Sequence, residues 1–150
     1  MYNVSLRMVK NTEEAEDILQ ESFIKAFKNL ESYQYQATFG AWLKRIVINT
    51  SISYLNKRKL TFSEIEDHNI PDEETDESAD YDLGRIKRAI DELPEGYRVI
   101  FSMYAVEGYD HQEIGEILNI TASTSKSQYS RAKRKLREIL GGQMSAAQIS

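Results

Sequence analysis

Apolar side chains along the chain recur mostly at spacings of three and four, the period of helices buried on one side. Ala15, Ile18, Leu19, Phe23, Ala26, Phe27 and Leu30 form one such stripe. Asn11 stands before it with Glu14 three residues on, the spacing of a capping box. Tyr2 to Lys10 reads as the end of an earlier helix. Asp17, Gln20, Glu21 and Ile24 fall opposite the stripe, so an apolar Ile24 is expected among polar neighbours on an exposed face. Tyr33 to Ala37 reads as a loop. Thr38 can cap a helix from Phe39 to about Arg58, with Phe39, Trp42, Leu43, Ile46, Val47 and Tyr54 on one stripe and Ile48, Ile52 and Leu55 off it. A helix apolar over most of its circumference belongs at the centre of its domain.

After residue 82 the pattern predicts four short helices. Leu83 to Leu93 turns Ile86, Ala89, Ile90 and Leu93 inward, and Pro94-Glu95-Gly96 breaks it. Tyr97 to Glu107 follows and stops at Gly108, a suitable C′ residue. Asp110 and Glu113 form a second capping box before Ile114, Ile117 and Leu118. Asn119 suits a left-handed turn. Thr121 then caps a helix from Ala122 to Leu140, closed by Gly141-Gly142, with a frayed tail after it.

The net charge is −5, from 19 basic and 24 acidic residues. Residues 61–82 carry ten acids and no Lys or Arg; the rest of the chain carries 19 basic and 14 acidic residues. The acidic average therefore hides two mildly basic ends, +3 and +2. The acidic stretch has little apolar periodicity and contains Pro71, so it reads as a self-repelling linker. The expected fold is all-α: two small helical domains, 1–60 and 83–142, joined by a flexible acidic linker, 61–82, with a tail at 143–150.

Several chemistries are disfavoured. There is no cysteine, which removes disulfides and thiolate metal sites and fits a reducing cytoplasm. No apolar run is long enough to span a membrane, and Met1 to Lys10 lacks a signal-peptide core. His68 and His111 have no nucleophile arrangement, and no glycine-rich phosphate loop or His-based metal spacing occurs. No catalytic residue, metal or cofactor is expected.

Residues 111–118, a turn at Asn119-Ile120 and a capped helix from Ala122 form a helix-turn-helix pattern. Ser125, Tyr129, Ala132, Leu136 and Ile139 make the inward stripe of its second helix. Thr124, Ser127, Arg131 and Arg134 fall on the far side, flanked by Lys126, Gln128, Ser130 and Lys133. Hydroxyls and cations suit phosphates, and Arg or Gln can read base edges.

Three motifs together resemble the ECF (extracytoplasmic function) sigma factors. Glu14 to Phe23 is similar to the family's acidic signature in sigma domain two, and Phe39 to Asn49 to its next signature. Leu93-Pro94 through Leu136 resembles sigma domain four. The resemblance implies a transcription initiation factor, not an enzyme, that binds core RNA polymerase at the β′ clamp helices and the β flap. It implies promoter DNA as a further partner, and an anti-sigma factor. Asp17, Gln20, Glu21 and Ile24 would then face polymerase; Trp42, Asn49, Lys57 and Arg58 the downstream promoter element; and residues 124, 126–128, 130, 131, 133 and 134 the upstream element. Three departures stand out. Ser53 and Asn56 replace an acid and an arginine, Ser125 replaces an aliphatic residue on the inward stripe, and a helix usual before the Tyr2 region is missing, which implies a shortened start. The other readings are a free-standing helix-turn-helix regulator that does not bind polymerase and a protein-interaction module that holds a partner through its exposed apolar residues.

Overall fold

The computed structural model describes residues 1–57 and 83–149, and side chains through Gly141. The proposed linker and Arg58 lie outside the described residues. The chain divides into two compact units, one ending at Thr61 and the other beginning at Phe62. Among the described residues every regular element is helical.

The first unit holds α1 (Tyr2–Val9), α2 (Thr12–Lys28) and α3 (Phe39–Lys57). Lys10 closes α1 in the left-handed conformation, φ 55°. Asn11 Oδ1 accepts from Glu14 N at 3.0 Å and starts α2. Thr38 starts α3: its Oγ1 accepts from Ala41 N at 3.2 Å. The core is made by Met8 and Val9 of α1, Ala15 and Ile18 of α2, and Val47, Ile48 and Leu55 of α3, each 1% exposed or less. The sequence reading of α3 as a central helix agrees with this burial, which also takes in Thr50 and Ser51. Both hydroxyls donate to the carbonyl four residues back, at 2.8 Å, so they enter the core already satisfied.

The expected stripe on α2 needs correction. The buried line is Ala15, Ile18, Ser22 and Ala26. Phe23 is 44% exposed, Phe27 79% and Leu30 49%. The period was right but the stripe is narrower, because a buried serine lies on its axis. An apolar count favoured the flanking phenylalanines over a small hydroxyl.

The second unit holds α4 (Leu83–Glu92), α5 (Glu95–Phe101), α6 (His111–Leu118) and α7 (Ala122–Ile149). Ala89, Ile90 and Leu93 pack on Leu136 and Leu140, with Ile86, Tyr97, Phe101 and Ile139 around them. Pro94 ends one helix and caps the next, so Glu95 and Gly96 are helical rather than a break. Arg98 is only 5% exposed. Its Nη1 donates to the Leu93 carbonyl at 3.3 Å, a cation where the preceding helix leaves acceptors unpaired. A single π-helical turn, Ser102–Val106, continues α5 before Gly108 reverses the chain at φ 80°. The expectation that the last helix closes at Gly141-Gly142 is also corrected: α7 runs through both glycines to Ile149.

Candidate nucleic-acid and polymerase interfaces

The helix-turn-helix is built by local chemistry. Glu113 N donates to Asp110 Oδ1 at 2.8 Å and Asp110 N donates to Glu113 Oε1 at 3.2 Å, completing the capping box of α6. Asn119 takes the left-handed conformation, φ 58°, and ends it. The turn closes tightly: Ile120 N donates to Gly115 O at 2.9 Å. A Cβ on Gly115 would stand 2.6 Å from the Ile120 carbonyl oxygen. Thr121 Oγ1 accepts from Thr124 N at 3.0 Å and starts α7.

On α7 the exposed or half-buried ridge is Ser123, Lys126, Ser127, Ser130, Arg134 and Arg137. Thr124 and Lys133 are half-buried beside it, and Lys133 Nζ stands 5.1 Å from the Tyr129 ring centroid. Gln128 and Arg131 correct the sequence reading. They are 3% and 9% exposed, so they line the interior side and not the outward face. The inward arc runs through residues 125, 128, 132, 136 and 140, which takes Gln128 with it. Ser123 and Arg137 were missed, although their spacing from Ser127, Ser130 and Arg134 signals the same ridge.

His111 packs beneath this ridge, half-buried. Burial lowers its pKa from the usual value, Lys126 and Lys133 lower it further, and Asp110 opposes them. The neutral imidazole is thus favoured in the folded state. The linked stability is fully present above the unfolded pKa of about 6.5 and is lost as pH falls through the lower folded value. Melting curves between pH 8 and pH 5 should show the wild-type chain losing more thermal stability on acidification than His111→Asn; equal losses would sink this assignment.

In the first unit Trp42, Arg45, Asn49, Ser53 and Asn56 lie along one exposed to half-buried ridge of α3. Lys57 is exposed at its end, with Nζ 5.4 Å from the Tyr54 ring centroid. At the start of the ridge Tyr33 lies 5.1 Å from Trp42 and 4.7 Å from Tyr35 by ring centroids, and Phe39 lies 5.7 Å from Trp42. Tyr35 is 84% exposed. Tyr33, Tyr35 and Phe39 were missed as site residues, the first two being read only as loop.

On α2, Asp17, Gln20 and Ile24 are exposed, Ile24 to 57%. Glu21 is turned toward α3: it pairs with Lys25 at 3.4 Å and bonds the Tyr54 phenol, whose pKa is raised first by burial and then by Glu21. Phe23 and Phe27 join Ile24 to form an apolar face with Gln20 and Asp17 at its edge. Among the described residues no group of His, Cys, Asp or Glu could hold a metal ion, and no helix is long and apolar enough to cross a membrane.

Comparison with known proteins gives matches across both units. Residues 1–61 match the family profile of sigma-70 region 2, and residues 83–136 that of sigma-70 region 4. The chain is 33% identical to the ECF RNA polymerase sigma factor SigW of Bacillus subtilis, over 93% of this chain and 82% of that protein. It is 31% identical to the ECF RNA polymerase sigma factor SigE of Mycolicibacterium smegmatis, of whose length it spans 57%. Its fold resembles that of the sigma factor RpoE of Bartonella quintana, solved in complex with the anti-sigma factor NepR. That match has a TM-score of 0.64 at 22% identity and covers 93% of this chain and 89% of that one.

Proposed function

This chain belongs to the sigma-70 family, and within it to the ECF RNA polymerase sigma factors, and from that membership we propose how its two units divide the work of promoter recognition. The protein is a transcription initiation factor that binds core RNA polymerase and directs it to promoters. The first unit, through about residue 60, would dock on polymerase by the α2 face and meet the downstream promoter element along the α3 ridge. The second, from about residue 83, would read the upstream element with α7. An acidic linker over residues 61–82 would join them. The factor works in the cytoplasm and catalyses no reaction of its own; the polymerase supplies the chemistry. Because the RpoE relative was solved with an anti-sigma factor, we assign this chain a partner of that class too.

The observation that carries the DNA reading is the α7 ridge, where serine hydroxyls alternate with Lys126, Arg134 and Arg137 behind a capped first turn. Hydroxyls and cations bind phosphate oxygens, and Lys or Arg can also reach guanine edges. Lys126→Ala and Arg134→Ala should each weaken binding to a selected promoter duplex by about 1–3 kcal/mol if the side chain touches a base. A contact to phosphate alone would weaken every duplex equally and flatten the salt dependence. Run-off transcription with added core polymerase tests the whole reading: wild type should start at a defined site and both variants should start there less often. If the chain supports no promoter-specific start, or if both variants bind like wild type, the assignment is wrong. A free-standing regulator would have no use for the exposed apolar face on α2, which favours the polymerase-binding reading.

A further inference from the structure

Ser125 stands where the inward stripe of α7 would ordinarily take an aliphatic side chain, and it is completely buried. Most buried hydroxyls are hydrogen-bonded. This one is too: Ser125 Oγ lies 2.9 Å from His111 Nδ1. His111 opens α6 and Ser125 sits in the first turns of α7, so the bond joins the two helices of the helix-turn-helix.

The imidazole is itself held in place. It stacks on Tyr104 at 4.4 Å with 10° between the planes, and Tyr129 of α7 approaches it at 5.7 Å. Tyr104 and Tyr129 close the group at 4.4 Å. Tyr104 comes from the π-helical turn, so three elements converge on one ring. The charged groups around it are Asp110 at the cap of α6 and Lys126 and Lys133 on α7.

The helix-turn-helix is therefore held at two points. One attachment is the Gly115–Ile120 turn and the other is the His111–Ser125 bond. Leu136 and Leu140 hold the far part of α7 on α4, and the His111–Ser125 bond holds its first turn against rolling about the helix axis. A roll of about 10–20° is enough to take a recognition group out of productive geometry. Lys126 and Ser127 follow Ser125 directly, so a fixed Ser125 fixes the direction in which they project.

We propose that His111 is a positioning residue for promoter recognition: its bond to Ser125 sets the rotation of α7 that presents Lys126 and Ser127 to DNA. This rests on the assignment of α7 as the upstream-element reader. A ring that merely fills space would contribute stability and nothing to sequence discrimination.

The test uses the full chain and two duplexes, one selected by the wild-type chain from a random library and one of scrambled sequence. His111→Phe keeps an aromatic ring against Tyr104 and removes Nδ1. Ser125→Ala removes the hydroxyl and adds no bulk at this fully buried position. His111→Asn keeps a polar atom close to the position of Nδ1. Binding is measured well below each variant's melting temperature, with helicity confirmed by circular dichroism. His111→Phe and Ser125→Ala should each weaken the selected duplex by about tenfold, with little change on the scrambled one. The double variant should be no weaker than the weaker single, because both remove the same bond. His111→Asn should bind within about twofold of wild type. If folded His111→Phe and Ser125→Ala bind the selected duplex like wild type, or if their losses simply add, the positioning role is refuted while the assignment of α7 stands. If the wild-type chain does not discriminate between the two duplexes, the α7 assignment fails and this inference fails with it.

Discussion

Replacing Ile24 and Phe27 by aspartate will remove most of this protein's affinity for core RNA polymerase and leave its melting temperature nearly unchanged. The two side chains are 57% and 79% exposed, and Phe23 and Leu30 extend the apolar surface at 44% and 49%. Water wets this surface in the free chain, and covering it releases free energy in proportion to the apolar area removed. Anchors at the centre of an interface typically cost about 2 kcal/mol or more each on truncation, so the double variant should lose affinity on the order of a thousandfold. A carboxylate placed in a closing apolar contact adds desolvation to that loss. Stability should respond little, because neither side chain contributes to the core and exposed substitutions usually move it by about 0.5 kcal/mol or less. Charge reversal at Asp17, on the edge of the face, should have a smaller effect that shrinks with added salt. Competition for core polymerase against wild type gives the answer. A double variant that competes as well as wild type would remove the α2 face from the polymerase contact.

Ile114→Ala will have the largest effect on the second unit. Ile114 is completely buried in α6, between the capping box and the tight turn. Truncating a buried isoleucine to alanine costs about 2–5 kcal/mol, through lost transfer energy and the cavity left behind. Domains of this size are stable by about 5–15 kcal/mol in total. At about 4–8 °C per kcal/mol, the melting transition of the second unit should fall by at least about 8 °C. Hydrogen exchange should locate the loss in residues 83–141 and leave α1 to α3 as protected as before. A shift of only a degree or two would mean that neighbouring side chains collapse into the space, contrary to the close packing expected at this site.

The helix starts were legible because each is written in adjacent residues. Asn11, Thr38, Asp110 and Thr121 were read as caps, and all four side chains accept a backbone N–H as expected. A cap involves residues three apart, so no distant contact is needed to make it. Asn119 and Gly108 were legible for the same reason, since their positive φ values are local conformational demands. The division into two basic ends and an acidic middle was readable from charge alone. The order of the motifs carried the family resemblance, which the profile matches bear out.

The faces of the helices were decided by tertiary contact. On α2 hydrophobicity alone assigned Phe23 and Phe27 to the core, yet the helices approach along Ala15, Ile18, Ser22 and Ala26. Small residues on the axis of contact let the backbones come close, and the large rings then project outside the seam. On α7, Gln128 and Arg131 looked like DNA contacts by residue type, but the arc packed against α4, α5 and α6 includes them. Arg98 likewise gave no sign in sequence that it would be buried against the end of α4. Ser125 stood out as a misfit on an apolar stripe, and only the arrival of His111 from 14 residues away supplies its partner. Periodicity, caps and charge were thus set within the sequence itself, because each depends on near neighbours. Which side of a helix is covered, and which polar group finds a partner there, depends on surfaces brought together from distant parts of the chain, and these exist only once the chain has folded.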